Sequence, residues 1–276
     1  MSSGNALAPY VDVLEKPLEQ FHAIAQAIGI DQPHSQSIKE LAEKLRSMDA
    51  DTIVKSGDSL KFWFNHMLFN YRPVIEDAHD EQAYLTEKPI DTIRQGNYDM
   101  KPWLTGLVSY IGEGAAISMN IYENRTLRNE LNENFVDKML KLLELKNEEQ
   151  LMILTKEYMQ DQYELNENNA DGFQELFSDC YFYYPLYRTL KHYFDFADID
   201  KSPVYIYKFS YSGPYNYKPL YSGGVAPSKQ YGTVHFDDML YHFRQPAIYP
   251  DFEKDSIDMT LTKEFVATLL EFVKTG

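Results

Sequence analysis

Two short runs rich in β-branched and aromatic residues, Leu104–Val108 and Val204–Phe209, are separated by a long stretch whose apolar residues recur at helical spacing. Strands that alternate with helices predict an α/β fold with a mostly parallel sheet. The helices are legible at their ends as well as along their faces. Pro17 opens one in which Leu18, Phe21, Ala25 and Ile28 share a face, Gly29 supplies its stop, and its apolar side is expected to cover a sheet. Phe135, Met139, Leu142 and Leu143 mark a second amphipathic helix. The acidic stretch Glu164-Leu165-Asn166-Glu167-Asn168-Asn169 has no apolar period and reads as a loop, not as a domain boundary.

Composition narrows the function class. With 276 residues, 44% of them hydrophobic and 25% charged, the chain has material for one large domain or two small ones. A net charge of -16, with Lys and Arg scattered and no basic stripe, repels phosphate backbones and argues against nucleic-acid binding. No apolar run is long enough to span a bilayer, and the first residues lack the basic-then-apolar pattern of a signal peptide. Cys180 stands alone, which excludes an internal disulfide and a cysteine-based zinc site, and it is expected to pack as a small apolar residue. His66, His79, His192 and His242 lack the spacing of a helical metal motif, so neither a metal nor another cofactor is expected.

Chemistry concentrates in two places. The run Tyr231-Gly232-Thr233-Val234-His235-Phe236-Asp237-Asp238 sets a histidine on a Gly-led loop ahead of two acids. Upstream, Pro102-Trp103-Leu104-Thr105-Gly106-Leu107-Val108 reads as a buried strand that opens into Gly112-Glu113-Gly114, an acid between two glycines. An acid followed by a histidine is the order in which α/β-hydrolases carry the last two members of their triad. No Gly-x-Ser-x-Gly occurs anywhere, and Ser210 and Ser212, which follow a strand, sit in no elbow sequence. The plainer alternatives are a structural histidine at His235 and a solvated turn carboxylate at Glu113. Asp238, three residues from His235, is too local to orient the ring and is expected to make a structural hydrogen bond. The run Tyr181-Phe182-Tyr183-Tyr184, with Tyr187, lines either a pocket or the core, and core is favoured.

With their surroundings these loops resemble the type B carboxylesterase and cholinesterase family, in particular its arthropod carboxylesterase and juvenile hormone esterase branch. The resemblance begins at Ser3-Gly4-Asn5-Ala6-Leu7, continues through Arg72-Pro73-Val74-Ile75-Glu76, the acid loop, Phe177-Ser178-Asp179 and Pro203–Ser210, and ends with Gly232, His235, Asp238 and a closing helix from Leu261 to Thr275. Each piece is weak alone, and their order gives them weight. The resemblance implies a partial α/β-hydrolase fold in which residues 1–276 form the C-terminal portion of a carboxylesterase domain. Family members are about twice this long, with the nucleophile elbow and the oxyanion loop in their N-terminal half. Met1 then reads as a substitute start, and truncation is expected to leave a sheet edge unpartnered.

By the same resemblance, Glu113 is the triad acid and His235 the base of a carboxylic ester hydrolase. Its partner is a small-molecule or lipid carboxylic ester, its serine lies outside the chain, and the chain is inactive alone. A different class stays open: a non-catalytic binding or adhesion protein built on the same fold. Persistence of both Glu113 and His235 favours the enzyme, and an upstream elbow sequence would discriminate the two. The sequon Asn124-Arg125-Thr126 is meaningful if the parent protein is secreted.

Overall fold

The computed structural model describes residues 3–66 and 69–276. These form two compact units, Pro9–Thr92 and a larger unit comprising the chain up to Ala8 together with Ile93–Gly276. In chain order the helices are α1 (Pro17–Ala27), α2 (Ile38–Arg46), α3 (Ala50–Ser56) and α4 (Pro89–Gln95). Strand β1 (Trp103–Val108) follows, then α5 (Ala115–Glu123), α6 (Arg125–Glu133), α7 (Phe135–Leu142), α8 (Glu148–Tyr158), α9 (Ala170–Ser178) and α10 (Tyr184–Tyr193). Strand β2 (Val204–Phe209), α11 (Lys218–Tyr221) and α12 (Ile257–Thr275) complete the order.

In the smaller unit, Pro17 occupies the first turn of α1 and Gly29, at φ +85, follows its end, as the sequence predicts. The expectation that this helix covers a sheet is corrected. The unit has no strand among its described residues, and α1 packs instead on α3 and the 3-10 turn Gly57–Leu60. Its buried residues are Ile24 and Ala25, while Leu18 is exposed. Helix α2 starts with a capping box, in which the Ser37 hydroxyl accepts from the Glu40 amide and the Glu40 carboxylate accepts from the Ser37 amide.

The larger unit is built on β1 and β2, which pair in parallel with Trp103 opposite Val204 and Val108 opposite Phe209. Side chains alternate between the two faces of such a pair. One face carries Tyr205, Tyr207 and Phe209, whose rings meet Phe272 and Phe265 of α12. Trp103 meets Tyr193 at the end of α10. Helices α5 and α9 are more deeply enclosed, burying Ile117, Met119 and Ile121 on the first and Phe173, Leu176 and Phe177 on the second. Phe135, Met139, Leu142 and Leu143 are buried as their spacing predicts. The loop predicted at residues 164–169 is irregular but pinned: the Asn132 amide exchanges two hydrogen bonds with the Leu165 backbone, and Leu165 is buried.

Among the described residues, no helix is long and apolar enough to cross a membrane. The tightest point of the sheet is Gly106, where an added Cβ would lie 2.0 Å from the Tyr207 ring. Overpacking of this kind costs about 1 to 3 kcal/mol. Gly106→Ala is therefore expected to lower the thermal midpoint by several degrees, as calorimetry would show, and an unchanged midpoint would mean that Tyr207 moves aside at no cost.

Candidate active site

The acid is held where a strand turns into a helix. After Val108 the chain makes a 3-10 turn, Tyr110–Gly112, and Glu113 follows just before α5 begins at Ala115. Open parallel sheets place their chemistry at the carboxyl ends of the strands, and Glu113 sits at such an end. The two flanking glycines are sites of close approach. A Cβ on Gly112 would lie 1.7 Å from the Thr233 carbonyl oxygen, and one on Gly114 would lie 2.1 Å from that of Gln174. The amide of Gly114 donates to Ser178 Oγ at 2.8 Å, and Gln174 Nε2 donates to the Ile111 carbonyl at 2.7 Å, so α9 grips this turn directly.

His235 arrives on the loop that presses against Gly112. Gly232 adopts φ +63, and the amide of His235 donates to the Gly112 carbonyl at 3.0 Å. Ser109 Oγ donates to the Thr233 carbonyl at 3.0 Å, a second tie between the two segments. These contacts bring together residues far apart in sequence: His235 Nδ1 lies 2.6 Å from Glu113 Oε2. Glu113 is fully buried, and the His235 side chain retains 12% exposure. An unpaired buried carboxylate would be costly, but both oxygens here have donors. Oε1 accepts from Ser3 Oγ at 2.6 Å and from the Val108 amide at 2.7 Å.

This arrangement decides the tautomer. An ionised carboxylate only accepts, so Nδ1 carries the proton and Nε2 is the nitrogen that can take one. Aromatic rings bound the imidazole, with Phe236 at 4.4 Å and Phe182 at 4.8 Å between centroids. Tyr221 donates to the His235 carbonyl at 3.1 Å. Burial, together with the nearby Asp237 and Glu113 carboxylates, raises the Tyr221 phenol above its ordinary range and keeps it a donor. Among the described residues, no group of His, Cys, Asp and Glu is arranged to hold a metal ion.

The backbone just beyond His235 is unusual. Phe236 has φ +67, a left-handed conformation that is uncommon for a non-glycine residue. The buried Asp237 carboxylate holds it by accepting from the Val234 amide at 2.7 Å and the Tyr217 amide at 2.8 Å. Asp238 makes a structural hydrogen bond, accepting from the Tyr207 hydroxyl at 2.8 Å. The aromatic run is divided between roles. Tyr181 and Phe182 are buried, whereas Tyr184 and Tyr187 are exposed, which corrects the expectation of a core position for the latter two. The π-helical turn Asp179–Tyr183 turns Phe182 toward the imidazole and lets Tyr183 donate to the Val108 carbonyl at 2.8 Å. Cys180 is partly buried, and desolvation pushes its thiol up to about 12.

Strand, acid-bearing turn, helices, parallel strand and histidine loop, in that order, define a partial α/β-hydrolase fold. The crystal structure of juvenile hormone esterase from Manduca sexta superposes on 99% of this chain with a TM-score of 0.72 at 19% identity, covering 50% of that protein. The chain belongs to the carboxylesterase family, whose sequence pattern matches residues 1–276. It is 27% identical over 260 residues to juvenile hormone esterase of Tribolium castaneum, an alignment covering 88% of this chain and 42% of the relative. It is 24% identical to venom carboxylesterase-6 of Apis mellifera over 86% of this chain and 42% of that protein. The chain thus spans about half the length of the relatives it matches.

Sequence reasoning singled out Glu113, His235 and the structural role of Asp238, but gave no role to Ser3 or Ser178 beyond the family pattern. Neither serine carries a local signal, since each acts on a residue distant in the chain.

Two predictions follow from the geometry. The Nδ1 proton between His235 and Glu113 should resonate far downfield of the amides in a proton NMR spectrum of this chain. Glu113→Gln, whose amide donates toward Nδ1 and reverses the tautomer, should abolish that signal. A signal that survives the substitution would place the proton elsewhere. The second concerns Asp237, whose carboxyl burial pushes up from 3.8 to about 6 against the lowering effect of its two backbone donors. The folded chain then binds a proton that the unfolded chain does not between about pH 4 and 6, so this stabilisation is full below that window and lost as pH rises through about 6. Urea unfolding should therefore show the stability of the native protein, relative to Asp237→Asn, falling between pH 4 and pH 7. A constant difference would contradict the assignment.

Proposed function

We propose that Glu113 and His235 are the acid and base of a Ser-Glu-His triad in a carboxylic ester hydrolase, and that residues 1–276 are the C-terminal portion of its catalytic domain. One observation carries the proposal: the 2.6 Å contact from Nδ1 to a fully buried carboxylate, which leaves Nε2 as the proton acceptor. In this chemistry Nε2 takes the proton of a serine hydroxyl as it attacks the ester carbonyl, and then returns it to the leaving alcohol. Glu113 holds the imidazole in the required tautomer and stabilises the imidazolium. The serine comes from an N-terminal segment of the same protein, and the chain alone is inactive for want of it. Phe182 and Phe236 place apolar surface beside the imidazole, which suits an ester with an apolar acyl or alcohol group, in keeping with relatives named as juvenile hormone esterase and venom carboxylesterase.

Asn124 caps α6 through Oδ1, which accepts from the Thr126 and Leu127 amides, so Nδ2 is the atom a glycan would take in a secreted parent. A non-catalytic binding role would not require a buried acid paired to a histidine, and the pairing favours the enzyme.

The test is p-nitrophenyl acetate hydrolysis by the chain extended upstream in frame, by the extended form with His235→Ala, and by this chain alone. The extended form should turn over, and His235→Ala should cost about a millionfold in kcat, as loss of the histidine does in other serine hydrolases. This chain should show only the imidazole background. Activity well above that background would refute a missing nucleophile, and a folded but inert extended form would transfer the proposal to a binding protein.

A further inference from the structure

A cavity of about 570 Å³ opens between the segment that follows the histidine loop and helix α12, and its lining includes neither Glu113 nor His235. The volume lies within the range of small-molecule sites. Its walls are mainly apolar, formed by Leu240, Tyr241, Phe252 and Met259. Those walls are braced. Tyr241 packs on Phe252 at 5.3 Å between ring centroids and donates to Asp258 at 2.8 Å, and Phe252 also packs on Tyr215. Arg244 and Asp251 close the connecting loop with a two-pronged ion pair at 2.8 and 2.6 Å.

The polar groups around the cavity are unlike the rest of the chain. Lys254 and Lys263 add two positive charges, and Asp251 is already matched by Arg244, so the lining is cationic on a chain whose net charge is -16. His242 also lines the cavity, with its ring 4.2 Å from Phe265. An apolar wall beside two cations matches a single chemical class.

We infer that this cavity binds an amphiphilic monocarboxylate, with its apolar tail against Tyr241, Phe252 and Met259 and its carboxylate toward Lys254 and Lys263. Charge complementarity selects the anion over a neutral amphiphile of the same length, because an alcohol leaves both lysines without a counter-charge. The inference does not depend on the ester hydrolase proposal, since binding needs no serine and uses neither Glu113 nor His235.

Isothermal titration calorimetry of this chain with dodecanoate, at concentrations below its micelle threshold, is the test. One saturable site is expected, with 1-dodecanol bound about tenfold more weakly and the Lys254→Glu/Lys263→Glu double variant weakened by about tenfold or more. Both lysines are exposed, so the variant should keep its circular dichroism spectrum, and Phe252→Ala should weaken dodecanoate and dodecanol alike. Equal affinity for acid and alcohol, or full affinity in the double variant, overturns the inference. Loss of binding in His235→Ala with retention in the lysine variant also overturns it, by placing the ligand at the acid-base pair.

Discussion

The structure around the site is organised by the cost of burying one carboxylate. Glu113 is wholly out of water, and a charge in that position needs hydrogen bonds at both oxygens. Ser3, Val108 and His235 supply them from three separate segments. The glycines on either side follow from the same demand. Only without side chains can the turn come close enough to the histidine loop on one side and to α9 on the other. Sheet, turn, loop and helix are thereby locked to a common point.

How much of this was legible depends on how local each signal is. The two strands and the helix Phe135–Leu142 could be read from residue type and period, because those patterns follow from the geometry of a single element. The flanking glycines marked Glu113, and the Gly-led loop marked His235, yet their proximity is a tertiary fact supported in the sequence only by resemblance. Ser3 could not be given its role at all, since a hydroxyl that completes a carboxylate 110 residues away leaves no trace among its neighbours. The apolar face of α1 misled for a related reason. A hydrophobic face announces that something covers it but not what, and here the cover is helical. Tyr184 and Tyr187 failed differently, because the π turn rotates the aromatic run so that Tyr181 and Phe182 point inward while the later residues face solvent.

The free side of the sheet shows what two strands leave undone. The Trp103 amide donates to the Pro203 carbonyl, and in a parallel pair the backbone groups of alternate β2 residues therefore point away from β1. Ile206 lies on that outward series and is 57% exposed, with Lys208 beside it. A lysine at this position discourages another strand from pairing, because pairing would bury its charge. On α12, Leu270 and Val273 are likewise exposed while Phe265 and Phe272 pack on the sheet, so the helix spends only part of its apolar surface on β2.

The acid-base pair does not share that incompleteness. Each group that fixes it belongs to this chain: Ser3 and Val108 on the carboxylate, Gly112 on the histidine amide, Ser178 on the turn, Tyr221 on the histidine carbonyl and Asp237 beneath the strained Phe236. Geometry assembled before any substrate arrives avoids reorganisation at the moment of proton transfer, which is where preorganised sites gain their advantage. Nothing in the pair waits on a nucleophile to take shape, so tautomer and orientation are properties of residues 3–276 that can be measured without turnover. On the proposed triad reading, a completing segment would bring both a hydroxyl to Nε2, the one position of the imidazole that Glu113 leaves for chemistry, and the donors that stabilise an oxyanion.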